Sequence, residues 1–133
     1  MVIKTLFCFI TEDDPGIIRS KVNRPPREVS SIEGYHNRYI HGRKSNLIVW
    51  EMDSQSLEEQ VQEVMDLAEK LRSVPGDRHV SCYLIREPQR VNEFYAFLSS
   101  EVLKKYSSLD LEFNFEYVEK EPIPDAGMGK NRS

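Results

Sequence analysis

Apolar residues recur along this chain with two periods, and the longer one is the clearest. From Ser56 to Val74, Leu57, Val61, Val64, Ala68 and Leu71 are spaced by four, three, four and three, and Met65 and Leu67 widen the stripe. That spacing predicts a helix with one buried face. Ser56-Leu57-Glu58-Glu59 reads as a capping box at its start, and Pro75-Gly76 as its stop. The shorter period marks strands. Residues 3–11 carry Phe7 and Phe9 on one side and Leu6, Cys8 and Ile10 on the other, so both faces are apolar and the strand belongs in the middle of a covered sheet. Asn46–Met52 divides likewise, with Leu47, Val49 and Glu51 opposite Ile48, Trp50 and Met52. His79–Arg86 alternates Val80, Cys82 and Leu84 with Ser81, Tyr83 and Ile85. Near the end, Leu111, Phe113, Phe115 and Tyr117 alternate with Glu112, Asn114 and Glu116, which predicts one buried and one acidic face.

Weaker signals fill the gaps. Asp13-Asp14-Pro15 opens a short helix with Ile17, Ile18 and Val22 as its stripe, ending before Asn23. Pro25-Pro26 returns the chain to extended structure, and residues 27–32 form an edge strand of low apolar weight. Residues 35–44 suit an exposed hairpin loop. Residues 94–98 read as a strand followed by a short helix carrying Val102, Leu103 and Tyr106. Phe7-Cys8-Phe9-Ile10-Thr11 and Tyr95-Ala96-Phe97-Leu98-Ser99 match in type, a faint echo that supports two similar arms. The order β-α-β-β-α-β-β-α-β predicts an α+β, two-layer sandwich. Its sheet is mainly antiparallel, in ferredoxin-like β-α-β-β-α-β order plus an extra β-α-β arm. Residues 1–119 make one domain and 120–133 a loose tail.

Composition narrows the chemistry. The 133 residues are 39% hydrophobic and 30% charged, with no apolar run long enough for a bilayer and no leader-like N-terminus. A cytoplasmic protein is expected. The formal charge of −4 disfavours nucleic acid and favours a basic partner. Cys8 and Cys82 lie in apolar strands as reduced, buried thiols, and the chain offers no short-spaced metal ligands, so neither metal nor cofactor is expected. Asp13-Asp14 could hold a metal but is explained as a helix cap. Cys8 with His79, or Cys82 with a histidine, could pair as thiol and base. Their strand-core placement argues against this, and no catalytic set is assigned.

Two surfaces remain as candidates for protein binding. One is Tyr35, His36, Arg38, Tyr39, His41 and Arg43, aromatic and basic residues of the kind that carry interface energy. The other is the acidic series Glu112, Glu116 and Glu119 along and beyond the last strand, with Asp110, Glu101 and Glu121 nearby in sequence. Each also reads as ordinary solvated surface.

Several features together resemble a domain-of-unknown-function family of small bacterial proteins. They are the strand running into Asp-Asp-Pro and a short helix (Phe7 to Val22), the Pro25-Pro26 break and Val49-Trp50. The helix opening Ser56 to Gln60, Phe97-Leu98-Ser99 and the alternating strand ending in Tyr117 complete the set. The resemblance covers nearly the whole chain and carries no catalytic motif. It implies an immunity-type protein of the kind found beside polymorphic toxins, a non-enzymatic inhibitor that occludes a partner such as a basic toxin; a monomer or homodimer is expected. Two other readings stand beside it. One is a small ligand-binding domain or enzyme with a pocket near Tyr83 and Trp50. The other is a self-associating accessory protein that pairs through the 27–33 edge.

Overall fold

A computed structural model describes residues 3–32, 44–97, 104 and 111–120. The elements are β1 (Ile3–Thr11), α1 (Pro15–Val22), β2 (Glu28–Ile32), β3 (Ser45–Glu51), α2 (Leu57–Lys70), β4 (Asp77–Ile85), a 3-10 turn (Pro88–Arg90), α3 (Val91–Phe97) and β5 (Glu112–Val118). The strands form one five-stranded sheet in the order β2-β3-β1-β4-β5. The first four strands pair antiparallel and β5 runs parallel to β4, so the sheet is mixed. Through β4 the element order is β-α-β-β-α-β, with β1 central as its two apolar faces require.

Local chemistry sets most boundaries. Asp14 Oδ1 accepts the Gly16 N–H at 2.7 Å with Pro15 at the first helical position, which starts α1. Asn23 ends it in the left-handed region at φ 56°, ψ 39°, donating its N–H to the Arg19 carbonyl. Ser56 caps α2 by accepting the Glu59 N–H at 3.2 Å. The Glu59 carboxylate accepts from the Ser56 hydroxyl rather than from its backbone, a variation on the capping box.

Helices α1, α2 and α3 pack on one side of the sheet. Phe7, Phe9, Ile48, Trp50, Val80, Cys82 and Leu84 meet Ile18 and Val22 of α1, Val61, Val64, Leu67 and Ala68 of α2, and Phe94 of α3. Trp50 is fully buried, 6.0 Å from Phe7 between ring centroids, and its indole N–H donates to the Arg24 carbonyl. Leu6, Cys8, Ile10, Leu47 and Val49 form a second apolar cluster on the opposite face.

Four expectations are corrected. Residues 94–97 are helical, because Val91, Phe94 and Phe97 recur three apart and all pack on the helix-side core. A short apolar run does not by itself distinguish the two periods. The echo between residues 7–11 and 95–99 therefore has no structural counterpart, since one member is a strand and the described part of the other is a helix. Among the described residues the extra arm consists of α3 and β5, with β4 as its first strand. Helix α2 ends at Lys70, before Pro75-Gly76. Arg78 on β4 reaches back to the carbonyls of Leu71, Val74 and Gly76 at 2.6, 2.8 and 3.0 Å and lies over the Phe9 ring. A tertiary side chain thus receives the carbonyls that a longer helix would otherwise present. The expected hairpin loop and the C-terminal tail, apart from Lys44 and Lys120, lie outside the described residues.

Candidate functional site

The face of the sheet away from the helices has two halves. The β1 and β3 half is largely apolar, with the Lys4–Glu51 ion pair toward one end. The β4 and β5 half is polar, because strand alternation puts Asp77, His79, Ser81 and Tyr83 there, beside Glu112, Asn114 and Glu116. Register sets the pairs: His79 opposite Glu112, Ser81 opposite Asn114, Tyr83 opposite Glu116.

The centre of this half is His79. Its Nδ1 is 3.3 Å from Glu112 Oε1 and its Nε2 3.9 Å from Asp77 Oδ2. His79 Nε2 is buried without a hydrogen-bond partner. Asp77 and His79 are largely covered, while the Glu112 side chain is 69% exposed. One donor atom from each of the three lies within 4.8 Å of the others. On the other side of His79, Cys8 of β1 is its direct cross-strand neighbour, with 1% of its surface exposed.

Cys82 is a different case. It stands on the helix side of β4, away from His79, and burial pushes its thiol up to about 12, against a smaller opposing pull from the Thr5 hydroxyl. It stays protonated at neutral pH. Beside it lies a buried polar knot. Gln60 of α2 accepts from the Thr5 hydroxyl and donates to the carbonyls of Ile3 and Ser54.

Glu112 and Glu116 share the polar half of the face and are exposed. Glu119 lies past the strand and accepts from the Tyr117 hydroxyl at 2.7 Å, which raises the Tyr117 pKa, so it belongs to the side on which Tyr117 packs. The expected acidic series is therefore divided between two sides. Tyr35, His36, Arg38, Tyr39, His41 and Arg43 lie outside the described residues, as do Glu101, Asp110 and Glu121.

The pocket expected near Tyr83 and Trp50 does not form between them, because the two residues are on opposite faces of the sheet. A cleft of about 370 Å³ opens instead at the start of α2, between Ile3, Leu57, Leu84, Phe94 and Phe97, with Arg90 and Glu93 among its polar lining. Sequence reasoning missed Asp77 as a partner of His79. Its signal was Asp-x-His within a strand, which puts both side chains on one face; recruiting Glu112 needed the register.

No family model matches the chain, and no curated protein matches it. Among solved structures, it is similar to a formyltetrahydrofolate deformylase from Pseudomonas putida KT2440, at 8% identity and a TM-score of 0.30, over 93% of this chain and 52% of that one. This chain spans about half the length of that enzyme, and a likeness at that score carries no argument about fold or activity. No helix among the described residues is long and apolar enough to cross a membrane.

Proposed function

We propose that this is a non-enzymatic, cytoplasmic protein-binding domain, an immunity or antitoxin-like inhibitor that occludes a basic partner with its outer strand. The observation that carries this reading is the acidity of the β5 edge: Glu112 and Glu116 stand exposed on one face of a strand at the end of the sheet, and Glu119 stands exposed just beyond it on the other side. Two carboxylates four residues apart on one face of a rigid strand steer a cationic surface toward that edge. The same charges deter pairing between copies of the chain along the edge. The test is affinity capture from the native host at low and then moderate salt, followed by binding measurements on what elutes. A stoichiometric, salt-sensitive basic partner is expected, and Glu116→Lys with Glu119→Lys should weaken it at least tenfold while leaving the circular dichroism spectrum intact. Unchanged affinity in that variant overturns the surface assignment.

A second reading, a small-ligand-binding domain, is favoured by the cleft of about 370 Å³, whose apolar walls and nearby Arg90 suit an apolar molecule with an anionic end. Under that reading the protein elutes alone from the capture, and carboxylate-bearing apolar compounds raise its melting temperature.

A further inference from the structure

We infer that Asp77, His79 and Glu112 bind a divalent transition-metal ion, with zinc the best match to the donors. The site shares Glu112 with the proposed protein-binding surface, but its argument does not rest on that reading.

Three observations converge. The first is spacing. Tetrahedral zinc with bonds of about 2.0–2.1 Å holds its ligand atoms roughly 3.3 Å apart. His79 Nε2 stands 3.9 Å from Asp77 Oδ2, Glu112 Oε1 lies 3.3 Å from Nδ1 of the same ring, and one donor atom of each of the three residues lies within 4.8 Å of the others. A cation at Nε2 requires the exposed Glu112 carboxylate to swing from the Nδ1 side of the ring by rotation about its own side chain. The second is rigidity. Asp77 and His79 are two apart on β4, and Glu112 is the register partner of His79 on β5, so paired strands rather than a loop set the spacing. The third is His79 Nε2, a buried polar atom without a hydrogen-bond partner. Such an atom carries an uncompensated desolvation cost, which a cation bound at that nitrogen removes.

The donor chemistry chooses among metals. A neutral imidazole with two carboxylates brings two negative charges, which a dication offsets. The imidazole favours zinc, cobalt and related ions over magnesium or calcium, which prefer all-oxygen sites. Three protein ligands leave a fourth position, and the exposure of Glu112 puts it toward solvent.

The competing account is a histidinium held by two carboxylates with no metal, and titration of the full chain separates the two. The protein is stripped with a chelator, then titrated with Zn²⁺ by calorimetry and with Co²⁺ by visible absorption. One equivalent of Zn²⁺ should bind at a Kd of about 10 μM or tighter, and Co²⁺ should give the intense visible bands of a low-coordinate site. His79→Ala, and separately Asp77→Asn, should weaken Zn²⁺ at least tenfold. The chain has three histidines, so His36→Ala with His41→Ala is the control and should leave binding unchanged. The apo spectrum of His79→Ala, matching apo wild type, shows that the loss is not unfolding. No binding at about 1 mM metal overturns the inference, and so does binding that survives His79→Ala or disappears in the His36/His41 control.

Discussion

Replacing Gln60 with leucine probes the polar knot that ties α2 to β1. Gln60 is fully buried and its amide is hydrogen-bonded on both sides: Oε1 accepts from the Thr5 hydroxyl, and Nε2 donates to the Ile3 carbonyl at 3.2 Å and the Ser54 carbonyl at 2.8 Å. Leucine nearly conserves the volume, so the change tests hydrogen bonding rather than packing. Ser54 is only partly buried and regains water. The Ile3 carbonyl and Thr5 hydroxyl are buried, and each stranded group costs about 1–3 kcal/mol. The Thr5 hydroxyl keeps a weak acceptor in Cys82 Sγ at 3.3 Å, which lowers its share. The apolar side chain offsets part of the remainder, leaving a net loss of about 2–4 kcal/mol. In a domain of this length that lowers Tm by roughly 8–15 °C. Urea unfolding at constant m gives the free energy directly. Adding Thr5→Val to Gln60→Leu removes the stranded hydroxyl, so the double variant should recover about 1 kcal/mol relative to additivity. A Gln60→Leu loss below about 0.5 kcal/mol, or strict additivity in the cycle, refutes the reasoning.

Gly76→Ala should cost about 1–3 kcal/mol in urea unfolding. The new Cβ would stand 2.5 Å from the Ile10 carbonyl oxygen and 2.9 Å from the Phe9 ring, so central strand β1 must move; stability within about 0.5 kcal/mol of wild type would contradict that contact. Glu63 makes a pH-dependent contribution. Burial pushes its carboxyl up, but bonds from the Ser54 hydroxyl, the Asp53 and Ser54 N–H groups and Arg24 together outweigh burial and lower its pKa below the ordinary 4.5. A lowered folded-state pKa means stability that is present above the ordinary value and lost as pH falls through the folded one. The stability gap between wild type and Glu63→Gln should therefore be constant near neutrality and narrow below about pH 4.5, measured by urea unfolding across pH 3–7; a gap unchanged down to pH 3 would sink the assignment.

Sequence alone determined the elements whose signals are local. Asp14-Pro15 and Asn23 bounded α1, Ser56 and Glu59 placed the start of α2, and alternation sorted Phe7 from Cys8, Trp50 from Val49 and Phe113 from Glu112 correctly onto opposite faces. Caps and periodicity involve residues a few positions apart, so they are written in contiguous sequence. What tertiary structure decided is non-local. Residues 94–97 became helical because their neighbours offered a core at that spacing, and α2 stopped at Lys70 where Arg78, from the next strand, receives the carbonyls that follow. The direction of β5, and with it the meeting of His79, Glu112 and Asp77, depended on strand register, since a one-residue slip would turn Glu112 to the other face. Register is set by side chains packing across strands more than thirty positions apart, and no single stretch of the chain contains that information.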